Sequence, residues 1–238
     1  MSIDWKKTQR KLNEAGFAVG VEDGVPGRAT YGALIGYAVR RQPDTIIRAI
    51  APEFPRWLQP AGIMGSANRL AEFIAQTAHE SGNYRRFEEN MHYSAKRLMQ
   101  VWPRRFKTLA AALPYAWDPG DPDREDVALA NLVYGSRMGN EVDGTADNDG
   151  WDHRGSGMLQ HTGAGEYKLL KDRLGSEPDD VRDPAKSVRA AADYWQRRNV
   201  NALIDRGDFA GARKAVNGGV LGLAEIADTR TRALKVLS

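Results

Sequence analysis

The chain of 238 residues contains no cysteine, and this absence removes several kinds of chemistry together. Without thiols there is no disulfide framework, no thiol nucleophile and no cysteine-based zinc site. Histidine is also scarce, and the four histidines form no HExxH motif, which argues against a zinc amidase or peptidase. We therefore expect neither a metal nor another cofactor.

Long apolar runs and blocks of like charge are missing as well. No window approaches 18 uninterrupted apolar residues, so no stable membrane insertion is expected, and the N-terminus has no apolar stretch of a cleavable secretory signal. The net charge of +3, without a basic stripe carrying interleaved aromatics, argues against nucleic-acid binding. With 42% hydrophobic and 27% charged residues, the composition is typical of a soluble globular protein, which we expect to be a monomer.

Alternation of apolar and polar residues, the pattern of a β-strand, is scarce, whereas helical spacing is frequent. The sequence therefore predicts a mainly α fold with at most a small β-hairpin. Asp4 is a candidate N-cap of the first helix, and Ser66 is predicted to start the helix that carries Glu80. Gln42-Pro43 is the best candidate for a boundary, which predicts a small helical domain over residues 1–42 and a larger domain over 43–238.

The segment AQTAHESGNYRRFEEN, residues 75–90, is the first candidate for catalytic chemistry. Helical spacing places Glu80 almost directly above Phe73, on the buried face of a helix. Burial and the negative end of the helix dipole both favour the neutral form of Glu80, which a general acid requires. The helix would stop at Ser81-Gly82-Asn83.

A second acid, Glu89, follows two arginines in this segment. Nearby Arg85 and Arg86 would hold Glu89 ionised, as a general base requires. Two carboxyls in different environments can divide the acid and base roles between them. Glu88 is the obvious rival for the role of base.

The decapeptide RGSGMLQHTG, residues 154–163, is the second candidate motif. Its three glycines permit backbone geometries that other residues avoid and allow a polymer to approach closely. Gln160 offers a donor and an acceptor to a sugar, and Thr162 offers a hydroxyl that can hold water. The motif is neither a phosphate-binding nor a dinucleotide-binding loop.

Taken together, the HES…EEN segment and RGSGMLQHTG resemble glycoside hydrolase family 19, and in particular its lysozyme-like branch in bacteriophage endolysins. The resemblance covers about residues 44–238 and implies a lysozyme-like or chitinase-like α-helical catalytic domain. It implies that Glu80 is the general acid, Glu89 the general base and Thr162 a hydroxyl that holds the attacking water. It also implies inversion at the anomeric carbon, with carboxyls roughly 6.5–9.5 Å apart.

The resemblance further assigns substrate-binding positions. Gln160 and Asn217, the latter in VNGG, match sugar-binding residues of the family. Three other side chains are predicted to contact substrate: His79, Tyr134 and Tyr167. The sequence departs from the family pattern at three positions, which puts the sugar preference in doubt: Ser156, His161 and Glu166. A structural role is the simplest interpretation of His161, with a titrating role as the alternative.

The N-terminal segment resembles the short peptidoglycan-binding domain of cell-wall hydrolases. It shares the order of a helix, a DG turn, a PGRAT loop and a second helix. The predicted wall-binding loop contains Asp23, Gly24, Gly27 and Thr30. The alternative is a plain helical hairpin that packs on the main domain.

These resemblances predict a phage endolysin that cleaves β-1,4 bonds between N-acetylmuramic acid and N-acetylglucosamine in peptidoglycan. Without a signal peptide, the protein would be made in the host cytoplasm and would need a separate holin-type route to the wall in the periplasm. A chitinase and a non-catalytic wall-binding protein remain as alternatives. Two further segments receive plain interpretations: the acid-rich stretch at Asp147–Gly150 is a solvated loop without EF-hand spacing, and Arg230, Arg232 and Lys235 form a solvated helix end.

Overall fold

The computed structural model describes residues 2–140 and 148–237, without the side chains of 122–125. These residues fold mainly into α-helices. The helices are α1 Trp5–Glu14, α2 Arg28–Ala38, α3 Thr45–Ile50, α4 Glu53–Leu58, α5 Ala67–Glu80, α6 Ala95–Val101, α7 Leu109–Ala112, α8 Pro122–Tyr134, α9 Asp149–Asp152, α10 Ala164–Leu174, α11 Pro178–Arg182, α12 Ser187–Arg197, α13 Val200–Asp205, α14 Phe209–Asn217 and α15 Leu223–Leu237. Short 3₁₀ turns occur at Ile63–Gly65 and Leu113–Tyr115.

β structure in the described stretches is limited to two isolated antiparallel bridges, Glu88–Ser156 and Ser156–His161. The prediction of a mainly α fold is confirmed. Within residues 2–140 and 148–237, no helix is both long and apolar enough to cross a membrane. Asp147, which belongs to the acid-rich stretch discussed above, lies outside the described residues.

The predicted helix starts are confirmed by their caps. The side chain of Asp4 accepts a hydrogen bond from the backbone N–H of Lys7, and that of Ser66 accepts one from Arg69. Each cap satisfies a backbone donor that the first turn of a helix leaves without an intrahelical partner. Ser66 is the N-cap of the Glu80 helix, whose first residue is Ala67.

By internal contacts the chain divides into two compact units. Unit 1 comprises Met1–Phe87, Gly157–Gln160 and Asp179–Ser238, and unit 2 comprises Glu88–Ser156 and His161–Pro178. The boundary predicted at Gln42-Pro43 divides the chain by function, into a wall-binding domain and a catalytic domain. This division stays a prediction.

In unit 1, helix α5 lies at the centre of the core. It packs most extensively against α15 and also contacts α13 and α2. Phe73 of α5 makes edge-on ring contacts with Phe54 and Trp195, all three of which are fully buried. Helices α1 and α2 pack against α15, so they share this core. A helix buried on this scale holds its C-terminal residue in a fixed position.

Unit 2 has a smaller core of its own. Helix α8 packs against α9, and α6 packs against α7. Leu98, Phe106, Leu129 and Val133 are buried at its centre. Helix α8 ends at Tyr134, whose side chain is important for the site described next.

Candidate active site

Glu80 is the last residue of α5, and the chain turns sharply after it. The Ser81 hydroxyl donates to the carbonyl of Thr77 and accepts from the backbone N–H of Tyr84. Gly82 and Asn83 take left-handed backbone conformations, with φ of 58° and 61°. These conformations suit glycine and asparagine and cannot continue a helix. The predicted helix stop is confirmed.

The Glu80 carboxylate is held by two side chains of α14. Arg213 Nη1 donates to Glu80 Oε1, and Asn217 Nδ2 donates to the same oxygen at 3.1 Å. Arg213 and Asn217 are four residues apart, so they lie on the same face of the helix. The side chain of Glu80 is 12% exposed and that of Arg213 is 2% exposed, so water screens the pair weakly.

Arg213 is a direct partner of the predicted acid that the sequence reasoning missed. Arg213 is itself fixed, because its Nε donates to the carbonyl of Leu221 at 2.8 Å and its Nη1 also donates to Gln76. The available signal was its position one turn before Asn217 in the VNGG motif.

Two other predicted substrate-binding residues belong to unit 1. The ring of His79 packs so closely on Gly222 that a Cβ there would lie 2.3 Å from it. Gln160 adopts a left-handed conformation with φ of 53°, and its Nε2 donates to the carbonyl of Gly157 at 2.9 Å. Gly157 itself has φ of 75°, and a Cβ would lie 2.9 Å from the carbonyl oxygen of Val181. This glycine is therefore required by its backbone.

Glu89 belongs to unit 2 and is held by different groups. The Tyr134 hydroxyl donates to the carboxylate, at 2.7 Å from Oε1 and 2.8 Å from Oε2. The backbone N–H of Gly155 donates to Oε2 at 3.2 Å, while the N–H of Glu89 donates to the Gly155 carbonyl at 2.7 Å. Tyr134, predicted to bind substrate, is thus a direct partner of the predicted base.

Burial raises the pKa of Glu89, although the hydrogen bonds from Tyr134 and Gly155 and the positive charge of Arg154 act in the opposite direction. Burial, with the Glu89 charge beside it, also raises the pKa of Tyr134, so the phenol keeps its proton and remains a donor. The prediction that Arg85 and Arg86 would set the ionisation of Glu89 was wrong, because burial dominates and the cation that acts on it is Arg154.

Glu88 has a different environment from its neighbour. Its side chain is 48% exposed and accepts a hydrogen bond from Arg154 Nη2. The Arg154 guanidinium also stacks on the ring of Trp151, 3.7 Å from its centroid. Glu88 therefore helps to hold Arg154, while Glu89 lies more deeply in unit 2.

Two departures from the family pattern contact each other. His161 is buried, and its Nδ1 lies 3.1 Å from Glu166 Oε1. The third departure, Ser156, exchanges two backbone hydrogen bonds with His161, at 2.9 and 2.7 Å. A structural role for His161, the simplest interpretation of the sequence, agrees with this packing. The half-buried Thr162 follows directly, and its role in holding water stays a prediction.

Tyr167, also predicted to bind substrate, is 3% exposed, and its hydroxyl donates to the Arg154 carbonyl at 3.2 Å. It lines a cavity of about 450 Å³ in unit 2, together with His153, Lys168 and Lys171 among others. Contact between Tyr167 and substrate stays a prediction. In the part of the chain that the structure describes, no cluster of three or more His, Asp or Glu side chains could hold a metal ion.

The predicted wall-binding loop is organised around Gln9. Its Nε2 donates to Asp23 Oδ1 at 3.1 Å and lies 3.4 Å from the Thr30 hydroxyl, and its Oε1 accepts from the N–H of Gly24 at 2.8 Å. A backbone hydrogen bond from Val25, with Gln9 as the second contribution, lowers the pKa of Asp23. These contacts fix the shape of the loop.

Comparison with known proteins shows the family of the chain. No family model matches the chain. A Haemophilus influenzae protein described as "Glycosyl hydrolase family 19 domain-containing protein" is 33% identical over 166 residues, which cover 68% of this chain and 77% of that protein. The helical fold agrees with this relationship. The chain therefore belongs to glycosyl hydrolase family 19 and is a glycoside hydrolase.

Proposed function

We propose that the protein is an endolysin that cleaves β-1,4 bonds between N-acetylmuramic acid and N-acetylglucosamine in peptidoglycan. Membership of the family supports hydrolysis of a glycan, and the wall-binding-like N-terminal segment favours peptidoglycan over other glycans. The observation that carries the proposal is that Glu80 and Glu89 are each held by hydrogen bonds within their own unit. Carboxyls fixed in this way suit proton transfer at defined atoms.

In the proposed reaction Glu80 is the general acid. It transfers its proton to the glycosidic oxygen as the bond from that oxygen to the anomeric carbon breaks, and it becomes a carboxylate. Arg213 donates to that carboxylate, so it stabilises the negative charge that forms in the step. Asn217 donates to the same oxygen and, by the family resemblance, also contacts sugar.

Glu89 is the proposed general base. It takes a proton from a water whose oxygen bonds to the opposite face of the anomeric carbon, which inverts the configuration. The raised pKa makes its carboxylate a stronger base than that of an exposed glutamate, provided that the pH is high enough for ionisation. Thr162 would hold the water, and Gln160 would bind sugar. The exposure of Glu88 and its pairing with Arg154 support Glu89 as the base.

We propose that residues 1–42 bind peptidoglycan, with Arg48 of the following segment lining the same cavity. Beside the loop that Gln9 organises, a cavity of about 410 Å³ is lined by residues that include Arg28, Gln42 and Arg48. Among residues 2–140 and 148–237, neither guanidinium has a carboxylate partner. The stem peptides of peptidoglycan end in carboxylates, which guanidinium groups bind well. Replacing both arginines by alanine in a Glu80→Gln background should reduce sedimentation with insoluble peptidoglycan. Unchanged sedimentation would show that this cavity does not bind the wall.

The remaining parts of the proposal concern the setting of the reaction. The protein would act as a monomer on the periplasmic wall during host lysis, after a holin-type partner has released it from the cytoplasm. Expression with and without a holin should show lysis only when both are present. Lysis by the enzyme alone would contradict the need for a separate route.

The catalytic assignment is tested with purified peptidoglycan and four proteins: the wild type, Glu80→Gln, Glu89→Gln and the matched neighbour Glu88→Gln. Removal of a general acid or base costs about 10²–10⁴-fold in rate. We expect losses of that size for Glu80 and Glu89 and a loss of less than about tenfold for Glu88. Full activity of Glu80→Gln would refute the assignment of the acid.

The same proteins distinguish the alternative functions. Wild-type cleavage of chitin oligomers without cleavage of peptidoglycan would identify a chitinase. Sedimentation with peptidoglycan without any released sugar would identify a binding protein. The proposal predicts release of sugar from peptidoglycan.

A further inference from the structure

Glu72 is a buried carboxylate that the proposed reaction does not use. It lies on α5, two turns before Glu80, and its side chain is 0% exposed. Arg230 Nη1 donates to Glu72 Oε2 at 3.0 Å, and Gln76 Nε2 donates to Glu72 Oε1 at 2.8 Å. The Arg230 guanidinium also lies over the ring of Phe209, 3.6 Å from its centroid. The interpretation of Arg230 as part of a solvated helix end was therefore wrong.

Gln76 connects this ion pair to the proposed acid. Its Oε1 accepts from Arg213 Nη1 at 3.2 Å, and the same nitrogen donates to Glu80 Oε1. The side chains of Glu72, Gln76, Arg213 and Glu80 thus form an unbroken hydrogen-bonded chain, here called the α5 relay. Glu72, Gln76 and Arg213 are all buried, so their charges and dipoles interact with little screening.

The balance of charge around the relay depends on Glu72. The cations that face it are Arg213 from α14 and Arg230 from α15, and Gln76 of its own helix is neutral. When Glu80 carries the proton that a general acid needs, Glu72 is the carboxylate left to offset these two guanidiniums. With Glu72 neutral, both positive charges would favour ionisation of Glu80.

We propose that Glu72 is a positioning residue: its buried negative charge fixes the relay and offsets Arg213 and Arg230 beside the proposed acid, Glu80. This inference rests on the proposed role of Glu80 as the general acid. Burial raises the pKa of Glu72, but the hydrogen bonds from Gln76 and Arg230 and the charges of Arg230 and Arg213 oppose that effect. The ion pair with Arg230 is the geometry expected of an ionised glutamate.

The test is the alkaline limb of the kcat/KM profile, where activity is lost as the general acid ionises. Eight helical residues separate Glu72 from Glu80 by roughly 12 Å along the axis. At an effective dielectric constant of about 20, loss of a unit charge at that distance moves the limb by about one pH unit. Because a negative charge is removed, Glu72→Gln should move the limb to lower pH.

Further variants separate charge from structure. Glu72→Asp keeps the charge and should restore the limb to within about 0.3 pH unit of the wild type. Glu72→Met is a second neutral variant in case the amide introduced by Glu72→Gln disturbs folding, which thermal unfolding will report. Asp193→Asn is the matched control, because Asp193 is also buried in an ion pair, with Arg197 at 2.6 Å. It should lower stability without moving the limb.

The outcomes separate this inference from the proposed function. The role of Glu72 is overturned if the alkaline limb stays in place in folded Glu72→Gln or Glu72→Met. It is also overturned if Glu72→Asp moves the limb as far as the neutral variants do. Either result leaves the enzyme assignment intact. Failure of the wild type to release sugar, or full activity of Glu80→Gln, refutes the proposed function instead.

Discussion

Replacing Tyr134 by phenylalanine removes the side-chain donor that contacts both oxygens of Glu89. The hydroxyl lies 2.7 and 2.8 Å from them, while the N–H of Gly155 remains at 3.2 Å. Because this hydrogen bond favours the carboxylate, its loss adds to the effect of burial and raises the pKa of Glu89 further. The ring of the phenylalanine preserves the packing in unit 2.

The size of the effect follows from the energy of the bond. A hydrogen bond to a charged group contributes about 1.5–3 kcal/mol, and one pH unit corresponds to about 1.4 kcal/mol, so the shift is about 1–2 pH units. The general base must be ionised, so activity is lost as the pH falls through its pKa. The acid limb of the kcat/KM profile should therefore move up by about 1–2 pH units. At a pH well below the acid limbs of both the wild type and the variant, the activity of the variant should be about 10–100-fold lower.

The assay is the rate of sugar release from solubilised peptidoglycan between pH 4 and 9, a range of about 5 pH units that covers both limbs. Tyr115→Phe is the matched control, because Tyr115 packs in the core of unit 2 through its ring contact with Phe106. Its profile should follow the wild type. A Tyr134→Phe profile that superimposes on the wild type would refute the assignment of Glu89 as a base held by Tyr134.

Three further predictions concern stability and the acid. Glu89→Gln should stabilise the protein at pH 7 by about 1 kcal/mol, because burial raises the pKa of Glu89 and makes its ionised form costly in the folded state. A glutamate carries its proton at low pH, so the gain should disappear at about pH 4. Chemical unfolding at both pH values measures this. Arg213→Met should slow turnover, because it removes the donor that stabilises the negative charge formed on Glu80, and should lower stability by about 1–3 kcal/mol, because Gln76, Glu80 and the carbonyl of Leu221 lose a buried donor. Unchanged stability and turnover would contradict the pairing. Gly163→Ala should destabilise the protein by about 2 kcal/mol or more, because φ is 90° and the new Cβ would lie 2.4 Å from Cβ of Met138; thermal unfolding that matches the wild type would show that the loop relaxes freely.

The helix that carries Glu80 could be predicted because its determinants are local. Ser66 caps its start, apolar spacing defines its buried face, and Gly82 and Asn83 end it. All of these signals lie within about one helix length of each other, where spacing and backbone preferences operate.

The partners of the two glutamates could not be predicted in the same way. Arg213 is 133 residues from Glu80, and Tyr134 is 45 residues from Glu89. The sequence positions of Arg85 and Arg86 predicted that these residues would hold Glu89 ionised. In the structure, tertiary packing buries the carboxyl and raises its pKa. Charge effects depend on distance and burial in space, which the order of residues does not specify.

Arg230 illustrates the same limit on the last helix. A basic residue near a helix C-terminus is most simply solvated, and nothing in its vicinity along the chain indicates otherwise. Its partner, Glu72, is 158 residues away and fully buried. The α5 relay and the ion pair of Glu72 with Arg230 depend on contacts among α5, α14 and α15, which are far apart in the sequence.

The central claim is tested most directly by the chemical identity of the ends that the enzyme creates. Purified peptidoglycan is digested with the wild type and with Glu80→Gln, reduced with borohydride and examined by mass spectrometry. We expect reduced muramic acid ends from the wild type and none above background from the variant. Freed stem peptides, or equal release of reduced ends by both proteins, would contradict it.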